Sequence, residues 1–80
     1  MNHHPTIALT AGERAAIIAI SGAPEGVLTR SPGGFGNGAV TLRMGRMLAR
    51  RGLAEFDDPG LPGALRLTWY GRDAASVVAQ

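Results

Sequence analysis

Apolar and polar positions alternate with two different periods along this chain. From Ala39 to Arg51, the residues Val40, Met44, Met47 and Leu48 stand at i, i+4, i+7 and i+8, the spacing of one helix face. Ala64 to Thr68 instead alternates strictly, with Leu65 and Leu67 on one side and Arg66 on the other, which predicts a strand. A shorter strand, Leu53 to Phe56, precedes it. The intervening Asp57–Gly63 carries two prolines and two glycines and reads as a sharp reversal, so the two strands form a hairpin. Upstream, Thr10-Ala-Gly-Glu13 has the spacing of a capping box, and a helix is predicted from Ala11 to Ser21, stopped by Gly22, Pro24 and Gly26. Within it Ala15–Ile20 is apolar almost all round, a pattern that usually means burial on more than one side, in the chain's own core or in part against a second copy.

Gly26–Arg30 reads as a short extended segment. Ser31–Gly38 is mostly glycine and proline, and no regular structure is expected there. Asn37-Gly38 favours a tight turn, and Phe35 is expected to plug the core. Gly52 sits where a helix-ending glycine belongs, with Arg50 and Arg51 in the last turn before it. Thr68 is the N-cap of a last helix through about Ala79, on which Tyr70, Ala74, Val77 and Val78 share a face. The predicted fold is α+β: about three helices, a β-hairpin in the C-terminal half and one further extended segment. Residues 1–9 form an arm and 10–80 a single domain.

Composition narrows what such a domain does. Its 80 residues bury roughly 60% of their unfolded surface, so the core is thin and a deep substrate cavity is not expected. No cysteine is present, which excludes disulfides and thiolate chemistry. No apolar run approaches the roughly 20 residues that cross a bilayer, and the first residues lack a secretion signal, so a cytoplasmic location is expected. The formal charge is only +2, but every basic residue is arginine, and four of the eight (Arg43, Arg46, Arg50, Arg51) lie within nine positions. A GC-rich genome explains arginine in place of lysine. It does not explain the clustering, which suits a phosphate-bearing partner.

The run Arg50-Arg51-Gly52-Leu53-Ala54-Glu55, followed after the turn by Leu65-Arg66-Leu67-Thr68 and Gly71-Arg72, resembles winged-helix domains of bacterial regulators. The resemblance extends from about Ala39 to Ala75, and the capped first helix also matches. It implies that helix 40–51 enters the major groove of duplex DNA. Arg43, Arg46 and Arg50, at i, i+3 and i+7, then form an outward stripe, and Thr41 at the helix start reaches a phosphate or base edge. Arg66 on the wing and Arg30 beside the glycine-rich loop touch flanking backbone. The arginine fork suits both phosphate and the paired acceptors of guanine. Two departures from the family accompany this. Its second helix is missing from residues 21–38, and the wing carries Glu55, Asp57 and Asp58.

Other motifs carry less. Gly33–Gly38 lacks the Lys-Ser/Thr of a P-loop and the spacing of a dinucleotide fingerprint. His3 and His4 bind metal only incidentally, Glu13 is accounted for by capping, and the remaining carboxylates are scattered or belong to turns. No enzyme, cofactor, metal or small-molecule substrate is expected. The expected partner is double-stranded DNA, and the chain is expected to act as a homodimeric regulator. The alternative is a protein-interaction adaptor, phage- or mobile-element-encoded, without DNA affinity. Trp69 and Tyr70 read as core or dimer anchors in either case.

Overall fold

In a computed structural model of the chain, residues 8–78 are described. The first helix, α1 (Ala11–Ser21), opens on the predicted capping box: the Glu13 amide donates to Thr10 Oγ1 at 3.1 Å and the Thr10 amide to Glu13 Oε1 at 2.9 Å. A 3-10 turn at Pro24–Gly26 leads into β1 (Val27–Ser31), followed by β2 (Gly34–Phe35), α2 (Leu42–Arg50), β3 (Ala54–Phe56), β4 (Ala64–Leu67) and α3 (Trp69–Val78). The strands form one antiparallel sheet in the order β2-β1-β4-β3. The molecule is therefore α+β, with three α-helices among the described residues, and the C-terminal half contains the expected hairpin.

Register sorts the side chains. Leu28, Leu65 and Phe56 lie opposite one another across three strands and face the helices. The neighbouring row, Val27, Arg66 and Glu55, lies on the other face. Ile17, Ile20, Leu48, Leu53, Leu65, Phe35 and Val40 form the fully buried centre. Phe35 is the plug expected of it, stacked on Phe56 with ring centroids 5.8 Å apart.

Three local readings need correction. Ser31–Gly38 is not irregular throughout, because Gly34–Phe35 pairs with Arg30–Ser31 as a hairpin. A Cβ on Gly34 would lie 2.3 Å from the Val40 carbonyl oxygen, so only glycine lets the two backbones approach this closely. Phe35 and Val40 exchange backbone hydrogen bonds, Phe35 donating at 2.8 Å and Val40 at 3.2 Å. That pairing holds Val40 extended, so helix 40–51 is shortened to Leu42–Arg50, with Thr41 as its cap. On α3 the buried side is Gly71, Ala74 and Ala75. Val77 does not share it and is 70% exposed.

Helix α1 is buried on the side carrying Ala16, Ile17 and Ile20 and half-buried at Ala19, while Ala15 and Ile18 stay exposed. Gly52, with φ +75°, ends α2 as predicted, and the Leu53 amide closes back onto the Leu48 carbonyl at 2.9 Å. Thr68 caps α3 through the Gly71 amide at 3.0 Å and donates its hydroxyl to the Gly52 carbonyl at 2.6 Å. Of the arm, residues 1–7 lie outside the described residues. Leu9 packs against the core. No helix among the described residues is long and apolar enough to cross a membrane.

Candidate nucleic-acid interface

Helix α2 has sharply different sides. Gly45 and Leu48 are buried, and a Cβ on Gly45 would stand 3.3 Å from both Leu65 and Phe56, so α2 lies close on the sheet. Arg43, Arg46 and Arg50 are exposed on the opposite side. Among the described residues none of the three makes a hydrogen bond or an ion pair to protein. No carboxylate occurs between Glu25 and Glu55, so α2 carries no acid of its own to neutralise them. The expected stripe is therefore present and, among the described residues, unpaired.

The other residues expected at the interface are engaged. Thr41 is exposed, but its hydroxyl accepts from the Met44 amide at 3.1 Å, as an N-cap does. Arg30 donates to the Pro62 carbonyl at 3.4 Å and lies 5.5 Å from the centre of the Phe35 ring. Arg66 donates to Glu55 at 3.4 Å across the outer face of the sheet. Arg30 and Arg66 thus belong to the hairpins, apart from the α2 stripe in local bonding.

Arg51 has a role the sequence reading missed. Its Nη1 donates to both Glu13 carboxylate oxygens, at 2.6 and 2.7 Å, and its Nη2 donates to the Ala8 carbonyl at 3.1 Å. Glu13 is buried, so capping is only part of its work: it anchors the end of α2 to the start of α1. The Thr10 amide and then the Arg51 guanidinium hold its carboxyl below the usual range. The sequence contained one cue. Arg51 follows Met47 by four positions and Met44 by seven, placing it on their flank and not on the stripe.

Beside the stripe runs an open groove of about 610 Å³, lined by Arg46, Ala49 and Arg50 of α2, by Ala54, Glu55 and Phe56 of β3, and by Pro59. The acidic hairpin residues next to it serve the loop. Asp57 Oδ1 accepts from the amides of Asp58, Gly63 and Ala64 at 2.8, 2.9 and 3.0 Å, and these bonds, Gly63 first, lower its pKa. Asp58 accepts from the Gly60 amide at 3.0 Å. Among the described residues no group of three or more His, Cys, Asp or Glu side chains could hold a metal. The expectation about His3 and His4 lies outside the described residues.

No protein-family model matches the chain, and neither the curated proteins nor the solved structures contain a significant match.

Proposed function

We propose that this protein is a winged-helix module that binds duplex DNA through the exposed side of α2. One observation carries the reading: Arg43, Arg46 and Arg50 stand exposed, unpaired among the described residues, on one side of a helix whose other side is fixed in the core. The succession helix, strand, helix, hairpin supports it, with the β1–β2 hairpin standing where the family has its second helix. In this reading α2 lies in the major groove and its guanidinium forks meet phosphates or guanine edges. The protein then acts by occupancy, as a small regulator in the cytoplasm. Pairing of two copies through the exposed sides of α1 and α3, where Ile18, Trp69 and Val77 stand, fits such a regulator; a one-chain mass at micromolar concentration refutes that part.

The test is anisotropy of a labelled duplex across a salt series. Three phosphate contacts give a slope of log affinity against log salt of about −3, and Arg43→Ala with Arg46→Ala lowers its magnitude by about 2. Arg14→Ala with Arg72→Ala removes two exposed arginines from other helices and leaves the affinity within about twofold. No salt-dependent affinity, or equal losses in the two double variants, overturns the proposal.

A further inference from the structure

The groove between α2 and β3 has a feature that nucleic acid leaves unused. Its walls carry Arg46 and Arg50, but Ala49, Ala54, Phe56 and Pro59 give it an apolar lining. A hydrated phosphate backbone gains nothing by covering those carbons. The groove is open to solvent and not enclosed, so it suits a chain lying across the surface better than a small molecule held in a cavity. Glu55, the one carboxylate in the lining, is turned to Arg66.

We infer that this groove docks an acidic segment of a partner protein, with carboxylates on Arg46 and Arg50 and an interspersed apolar side chain on Phe56 and Pro59. Charge complementarity selects the acid, and the apolar lining selects a peptide over a plain polyanion. The docking surface stands on its own. Its regulatory meaning rests on the DNA reading, because the segment takes two of the three arginines that reading assigns to DNA and displaces the duplex. Arg43 belongs to the stripe but not to the groove, and this separates the two roles.

The probes are three short labelled peptides: alternating aspartate and leucine, asparagine and leucine, and aspartate and serine. The first binds, and each control binds about tenfold more weakly or worse, the order expected when charge-assisted contacts or apolar burial are lost. Arg46→Ala with Arg50→Ala weakens the first peptide about tenfold or more, and Pro59→Glu weakens it by repulsion. Arg43→Ala changes peptide binding less than about twofold while weakening the duplex. All four substituted side chains are exposed, so the fold tolerates each change. Equal binding of the aspartate–serine peptide, or an equal loss on Arg43→Ala, reduces the effect to diffuse attraction and overturns the inference. Peptide binding by a protein that binds no duplex supports the docking surface and overturns the DNA reading alone.

Discussion

Replacing Arg51 with alanine isolates the contact that joins the ends of α1 and α2. The Glu13 side chain is only 2% exposed, and it loses both Arg51 bonds while keeping the Thr10 amide. Breaking a fully buried ion pair costs about 3–5 kcal/mol, and a single charge-assisted hydrogen bond contributes about 1.5–3 kcal/mol. The Arg51 side chain is 37% exposed, so water already screens its charge, and the lower part of that scale applies: about 2–3 kcal/mol. In a domain of this size that lowers Tm by roughly 10–20 °C. Thermal unfolding followed by circular dichroism reads this directly. The double-mutant cycle with Glu13→Gln gives a coupling of about 1 kcal/mol or more. The acid limb supplies a second readout. Folding lowers the Glu13 pKa, so its stabilisation is complete above the unfolded value near 4.5 and is lost as pH falls through the folded value. Without Arg51 the loss starts from the same unfolded value, is completed at a higher pH and is smaller. A Tm change under about 3 °C, or a strictly additive cycle, refutes the clamp.

Gly71→Ala sets helix propensity against packing. Propensity favours alanine by about 1 kcal/mol, but its Cβ would stand 1.8 Å from the Leu53 carbonyl oxygen, and overpacking of this kind costs about 1–3 kcal/mol or more. The variant is therefore expected to unfold at lower temperature in a thermal melt, and a raised Tm overturns the close approach of α3 to Leu53. Asp57→Ala removes the acceptor for three loop amides, so faster hydrogen exchange at Gly63 and Ala64 is expected. Because folding lowers the Asp57 pKa, the native loop keeps this protection in full above the unfolded value near 3.8 and loses it as pH falls through the lower folded value. Unchanged exchange in the variant argues against the network.

Local signals made much of the fold readable. The Thr10–Glu13 box, the glycine after α2 and the alternation of Leu65, Arg66 and Leu67 each act within a few residues, and each was visible in the sequence. The features that escaped it depend on distant partners. Strand β2 is two residues among glycines, and its existence depends on Gly34 admitting the Val40 backbone. Val77 is apolar and spaced like its buried neighbours, but the small residues Gly71, Ala74 and Ala75 bring a different side of α3 against the protein. Arg51 looked like its neighbours in composition, and the partner that distinguishes it lies 38 positions away. The candidate site was legible as a stripe. Which arginines remain free was not.

Folding separates three engaged arginines from the three of the α2 stripe, leaving Arg14 and Arg72 exposed on other helices, and the division bears on function. Arg30, Arg51 and Arg66 are held by a carbonyl, a buried carboxylate and a cross-strand carboxylate. Arg46 and Arg50 stand four apart on one helix, and Arg43 stands three before Arg46, with no acid on α2. Like charges at these spacings weaken an isolated helix by about 0.2–0.5 kcal/mol per pair. An ordinary solvated face avoids that cost by mixing signs. Here α2 keeps its position by burying Gly45 and Leu48 and by the Arg51–Glu13 clamp, so the repulsion, softened by water and salt, persists in the folded protein and is lessened further by a bound anion. Duplex DNA and an acidic chain both supply that relief. They differ at the apolar lining beside Arg46 and Arg50, where only a chain with carbon side groups gains by covering Phe56 and Pro59.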